Sequence, residues 1–181
     1  MLHLTRATLV SIEESKEIFA HFGLAMHVSN VLEHGVANAI FVATLLPKIR
    51  QYANGDSWGD AIDAHFEKMF TLTFGNMIRE LIDTGAYSKA LVERLNETKT
   101  TRDHLVHHFH REAAELMLTP IGRKKMIEKY LQIIGEFGAA DEALEAEIGP
   151  IRNRHGVTDD WLNEAYEDGI RRLVAASGDG V

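Results

Sequence analysis

The chain of 181 residues contains no cysteine. That excludes a disulfide framework, a thiolate zinc site and a cysteine nucleophile. No basic region leads into a long apolar run near the N-terminus, so no signal peptide is expected. The longest apolar stretch, residues 39–47, is far shorter than a membrane span, and a cytoplasmic protein with no membrane partner is the expectation. Positive charge is also short: the net charge is -8, which argues against a broad, sequence-independent nucleic-acid surface. A small basic pocket stays open, because net charge says nothing about one cleft. Internal repeats, low-complexity segments and convincing period-two strands are missing, save for a few strand-like residues near Thr8 to Ile12.

What is present is helical pattern. A chain that is 45% hydrophobic and 25% charged fits one soluble globular domain spanning residues 1–181. Ser11 and Glu14 form a capping-box candidate. From there to about Leu46, Ile18, Phe22, Ala25, Ser29, Leu32, Val36, Ala39, Ile40 and Ala43 recur at three- and four-residue steps. That spacing predicts one long helix, with Pro47 near its end. A second helix is expected from about Trp58 to Thr84, capped by Asp56 or Ser57 and ended by Gly85. A third starts near Tyr87 or Ser88 and runs to about Leu118. Thr119 and Pro120 then open a fourth, reaching Ile148. Gly149 to Gly156 reads as a loop, and Thr158 as the cap of a short fifth helix ending near Ala176. Residues 1–10 read as an arm and 177–181 as a frayed tail. Helices of this length with short connections imply an all-α, antiparallel bundle of about five helices.

Four of the ten histidines, His104, His107, His108 and His110, crowd into residues 102–110. Histidine changes charge near neutral pH without special help, and a buried imidazole needs hydrogen-bond partners. At about 100° per residue, Arg102, Leu105, Val106, Phe109, Ala113 and Leu116 share one face. Asp103, His107 and Arg111 form a second stripe. His104, His108 and Glu112 or Glu115 form a third. Asp103 and His107, at i and i+4, can touch, and a carboxylate there would orient the imidazole. Arg102 lies about 140° from His107 on an ideal helix. The two converge only through an irregular turn or through a second copy of the chain.

Arg102-Asp103-x-x-x-His107-x-Phe109 resembles the signature of the HEPN superfamily, the higher eukaryotes and prokaryotes nucleotide-binding domains. The resemblance covers eight residues. It implies an all-helical bundle with the motif on a late helix, and a homodimer in which two motifs face each other. It also implies, for many members, metal-independent cleavage of RNA, often by toxins or defence proteins that pair with an antitoxin. Other members are inactive or bind nucleotides. Where members controlled by a nucleotidyltransferase antitoxin carry tyrosine, this chain has Phe109, which has no hydroxyl to modify.

Three functions follow as alternatives. In the first, RNA is cut by attack of a 2′-hydroxyl on its phosphate. His107 moves the proton, Arg102 stabilises the phosphate charge, Asp103 orients His107, and His104 or His108 assists, with no cofactor. In the second, His104 and His108 bind a metal with Glu33 and His34, although no Glu-x-x-His pairs and no His-Glu-x-x-His motif are present. In the third, Arg102 and the histidines form a buried polar network in a non-catalytic dimer. Elsewhere, Arg123, Lys124 and Lys125 read as a solvated first turn, and Arg152 and Arg154 as loop residues. Trp58 and Trp161 read as core or hinge packing. Phe66, Met69, Phe70 and Phe74 read as core or dimer interface.

Overall fold

The computed structural model describes residues 6–52 and 55–177, with side chains described for 13, 15–52 and 55–176. Seven α-helices follow in order: α1 Arg6–Thr44, α2 Gly55–Phe70, α3 Phe74–Asp83, α4 Lys89–His104, α5 His110–Glu112, α6 Pro120–Arg154 and α7 Asp159–Ser177. Short 3₁₀ turns cover Leu46–Gln51 and Ala114–Leu118, and a π-helical turn covers Leu105–Phe109. No strand occurs among the described residues, and none of their helices is long and apolar enough to cross a membrane.

The predicted steps along α1 are the buried ones: Ile18, Ala25, Ser29, Leu32, Val36, Ala39 and Ile40 are all withdrawn from solvent. Ala37 and Val42 are buried as well, so the C-terminal half of α1 is covered on several sides. Helix α6 packs alongside α1 in the same direction: Phe22 meets Tyr130 with ring centroids 6.1 Å apart, and Gly35 meets Asp141 and Leu144. Helix α4 runs opposite to both, as Tyr87 reaches Ala39 while His110 reaches Phe22 and Tyr130. Two cores result. One joins α1 beyond Leu32 to α2, α3, α4 and the far half of α6. The other joins Ile18 and Ala25 to Leu105, Phe109 and Ala113 and to Met126, Tyr130, Ile133 and Phe137.

Several caps form as expected. Ser88 Oγ accepts from the Leu91 amide (3.1 Å), Thr119 Oγ1 from Gly122 (3.0 Å) and Thr158 Oγ1 from Trp161 (3.2 Å). Gly85 follows α3 with φ +65°, a left-handed turn that suits glycine.

Other expectations are corrected. The helix expected over Trp58–Thr84 is two helices. Thr71 Oγ1 donates to the Lys68 carbonyl, and Thr73 Oγ1 accepts from the Asn76 amide, so two hydroxyls replace helical hydrogen bonds with local ones. Asp56 and Ser57 lie inside α2. Residues 6–12 are helical, so the strand-like residues Thr8 to Ile12 and most of the arm belong to α1. Ser11 sits within that helix and is not at its start. The side chains of the Ser11–Glu14 box lie outside the described residues, as do residues 178–181 of the tail.

Helix α6 also continues through Gly149 and Pro150 to Arg154. An interior proline costs about 3 kcal/mol. Burial of Ile148, worth about 1.5–3 kcal/mol, offsets most of that, and buried Arg152 adds a hydrogen bond from Nε to the Val157 carbonyl (3.2 Å). The expected solvated turn at Arg123 is likewise corrected: Arg123 is buried, and its guanidinium donates to the Met117 carbonyl at 2.8 Å.

The start of α6 presses on the preceding 3₁₀ turn. A Cβ on Gly122 would lie 2.2 Å from the Leu116 carbonyl oxygen, and backbone cannot swing away. Gly122→Ala should therefore destabilise by about 1–3 kcal/mol or more in urea denaturation. Gly135→Ala, at an exposed position of the same helix with nothing within 4 Å of the new Cβ, should stabilise by about 0.5–1 kcal/mol.

Candidate functional site

The histidine segment is anchored through its apolar residues. Leu105, Phe109 and Ala113 are buried in the second core, four positions apart. Val106 and Leu116, expected on the same face, are 39% and 37% exposed. The π turn over Leu105–Phe109, whose wider backbone loop admits an extra residue, moves Val106 off that face, and Leu116 falls in the following 3₁₀ turn. Leu105 and Phe109 keep their inward direction. His107 and His108 are therefore exposed, beside a core that holds their backbone. π turns of this kind recur at functional sites.

Arg102 leaves the last turn of α4 and reaches α1. One guanidinium nitrogen lies 2.9 Å from Glu33 Oε1 and another 3.5 Å from Asp103 Oδ1. The side chains of Arg102 and Glu33 are only 26% and 19% exposed, so this ion pair sits largely out of water. It is not a two-pronged fork: Arg102 Nε and Glu33 Oε1 are buried without an aligned hydrogen-bond partner. Buried donors are rarely left so. One face of the guanidinium is uncommitted.

Asp103 does not pair with His107. Its carboxylate takes Lys99 Nζ at 2.5 Å and lies beside Arg102. The hydrogen bond from Lys99, with the charges of Lys99 and Arg102, holds Asp103 below the usual carboxylate range. Lys99 and His107 stand at equal spacing either side of Asp103. The α-helix persists toward Lys99 and gives way to the π turn toward His107, so the four-residue contact survives on one side only. A full charge on Lys99 is also the stronger attraction.

The other histidines separate by role. His104 Nε2 bonds Glu112 Oε2 at 2.8 Å, which lowers the Glu112 carboxyl below its ordinary value. His108 Nδ1 accepts from Arg111 at 3.1 Å. His110 faces Tyr130 Oη at 3.4 Å and packs its ring on Phe22 at 4.7 Å, making it a rim residue of the core. Among the described residues His107 has only a ring contact, 6.3 Å to His108, and neither of its ring nitrogens has a hydrogen-bond partner there. Phe109 is buried against Tyr130, with ring centroids 4.9 Å apart, so its position offers nothing to a modifying enzyme.

The residues weighed as metal ligands do not gather. Glu33 serves Arg102, His34 lies on Phe70 at 4.5 Å, and His104 serves Glu112. Among the described residues, no three histidine, aspartate or glutamate side chains converge as a metal-binding group. Reading the sequence missed the Glu33–Arg102 pair. Its signal was an acid set among the core steps Leu32 and Val36 of α1, where a buried carboxylate needs a cation. Compared with protein-family models, curated proteins and solved structures, the chain matches none.

The pair predicts a measurable coupling. Arg102→Ala strands Glu33 and should cost about 1–3 kcal/mol, between an exposed and a fully buried pair. Arg102→Met combined with Glu33→Leu should cost less than the two single changes summed. Urea denaturation of the set gives the coupling, and strict additivity would show that the contact does not hold α4 to α1.

Proposed function

We propose that this chain is a metal-independent endoribonuclease of HEPN type that works as a homodimer. The observation that supports the reading is the condition of the two motif residues on either side of the π turn. His107 is exposed with both ring nitrogens free, and Arg102, one helical turn away, keeps a buried N–H without a partner. An imidazole with a free nitrogen exchanges protons near neutral pH. A guanidinium held by Glu33 and Asp103 but not saturated by them can still turn toward a phosphate.

The reaction follows from those two groups. A neutral His107 takes the proton from the ribose 2′-hydroxyl as its oxygen attacks the adjacent phosphorus. The bond from phosphorus to the 5′-oxygen breaks, and a protonated imidazole gives that oxygen its proton. The products are a 2′,3′-cyclic phosphate and a 5′-hydroxyl. Arg102 stabilises the extra negative charge in between. Two copies of His107, one from each protomer, supply base and acid together, and His104 or His108 flank them. Asp103 sets Arg102 through its own contact with the guanidinium. Any antitoxin partner would have to act by covering this face, since Phe109 carries no hydroxyl.

Cleavage of a structured RNA in the presence of EDTA tests the proposal. Wild type should cut RNA and leave the corresponding DNA intact, because DNA lacks the 2′-hydroxyl. Arg102→Ala and His107→Ala should each lower the rate by about 10²–10⁴. Full activity in both variants, or wild-type protein that cuts no RNA and slows no growth on expression, moves the segment to the role of a polar network in a non-catalytic dimer.

A further inference from the structure

On another side of α1, a half-open cleft of about 490 Å³ lies between α1, α2, α6 and the start of α7. That volume suits a small organic molecule. Its walls are aromatic and aliphatic: Phe41 and Phe66 stack at 5.9 Å, Trp58 lies 5.9 Å from Phe41, and Trp161 and Ile148 add further apolar surface. The polar groups at its edge are few and unequal. Arg152 is buried and fully engaged, bridging Glu145 and Asp159 and donating to the Val157 carbonyl. Glu145 thereby shares one cation with Asp159, and Arg152 balances only one of those two charges. Asp141 is left over.

Asp141 is half-buried, with Oδ1 set against the bare backbone of Gly35, 3.1 Å from where a Cβ would stand. Among the described residues it has no hydrogen bond or ion pair. The charged groups around it on α6 are Glu142 and Glu145, both negative. Burial, followed by those two neighbours, pushes its carboxyl up. Nothing in the fold compensates this charge, and fold stability would be served better by an amide.

We infer that the cleft binds a small primary amine carried on an aromatic or aliphatic body. The ammonium meets Asp141, and the body lies among Phe41, Trp58, Phe66 and Trp161. The charge count selects a cation: Asp141 brings one unbalanced negative charge, and the charge of Arg152 is already met by Glu145 and Asp159. The aromatic walls favour the same choice, because ring faces attract cations. This site is separate from the Arg102–His107 segment and does not depend on the ribonuclease reading.

Trp58 and Trp161 are the only tryptophans in the chain, and both line the cleft. Intrinsic fluorescence therefore reports on it directly. Titration with 2-phenylethylamine and with octylamine should give a saturable change. 2-Phenylethanol, the neutral counterpart, should bind about tenfold or more weakly, and 3-phenylpropionate more weakly still. Asp141→Asn should erase the preference for amine over alcohol. The variant should also melt no lower than wild type at neutral pH, because it removes an uncompensated carboxylate. Burial raises the Asp141 pKa in the folded state above its unfolded value, so any gain in the variant should be present at neutral pH and fade as pH falls through the folded-state Asp141 pKa. Equal binding of amine and alcohol, an amine preference that survives Asp141→Asn, or no saturable response to either amine overturns the inference. A variant that melts well below wild type also overturns it, since the carboxylate would then have a partner in the fold.

Discussion

Helices α2, α3 and α6 pack directly against α1, and α4 packs on α3 and α6; α1 is built to be approached. Along α1, Ala25, Ser29, Gly35, Ala37 and Ala39 present little or no side chain, so neighbours reach its backbone. Tyr87 Oη donates to the Ala39 carbonyl at 2.6 Å, and His65 Nε2 meets the Ala37 carbonyl at 3.2 Å. Burial lowers the His65 pKa, which suits a neutral ring donating to that carbonyl. Leu32, Val36 and Ile40 supply the apolar bulk between these close approaches. A larger residue at the small positions would push α4 or α6 outward and break contacts with polar groups that have no water to replace them.

The same closeness accounts for the histidine segment. Arg102 spans from the last turn of α4 to Glu33 on α1, and the segment beyond it buries Leu105, Phe109 and Ala113 among residues of α1 and α6. Leu105 and Phe109 stay inside at their four-residue spacing, and His107 and His108 between them turn out. Exposure of the histidines is thus a consequence of core packing, while their chemical freedom depends on which of them find partners. His104 and His108 do, and His107 does not.

Local features were legible in the residues themselves. Ser88, Thr119 and Thr158 act on amides within three positions, and Gly85 answers to its own backbone, so nothing distant can override them. The alternation of apolar steps in α1 likewise needs only the helix period. Legibility failed where two local choices were equally spaced. Asp103 stands midway between Lys99 and His107, and only the change of helix type decides between them. Thr71 and Thr73 could have sat mid-helix, but capping interrupts the expected second helix there. Pro150 reads as a terminator until the burial of Ile148 and Arg152 is known.

By itself the sequence determined the helical class, the starts of α4, α6 and α7, and the stretch from Arg102 to His110 as the place where titratable groups concentrate. These depend on interactions within a turn or two, which the order of residues encodes directly. Only the tertiary structure decided that Glu33 belongs to Arg102, that His107 stands free while its neighbours do not, and that Asp141 faces an aromatic cleft without a counter-charge. Each of those rests on residues brought together from separate helices. No spacing along the chain encodes such a meeting, because it is set by how closely α4 and α6 can approach α1.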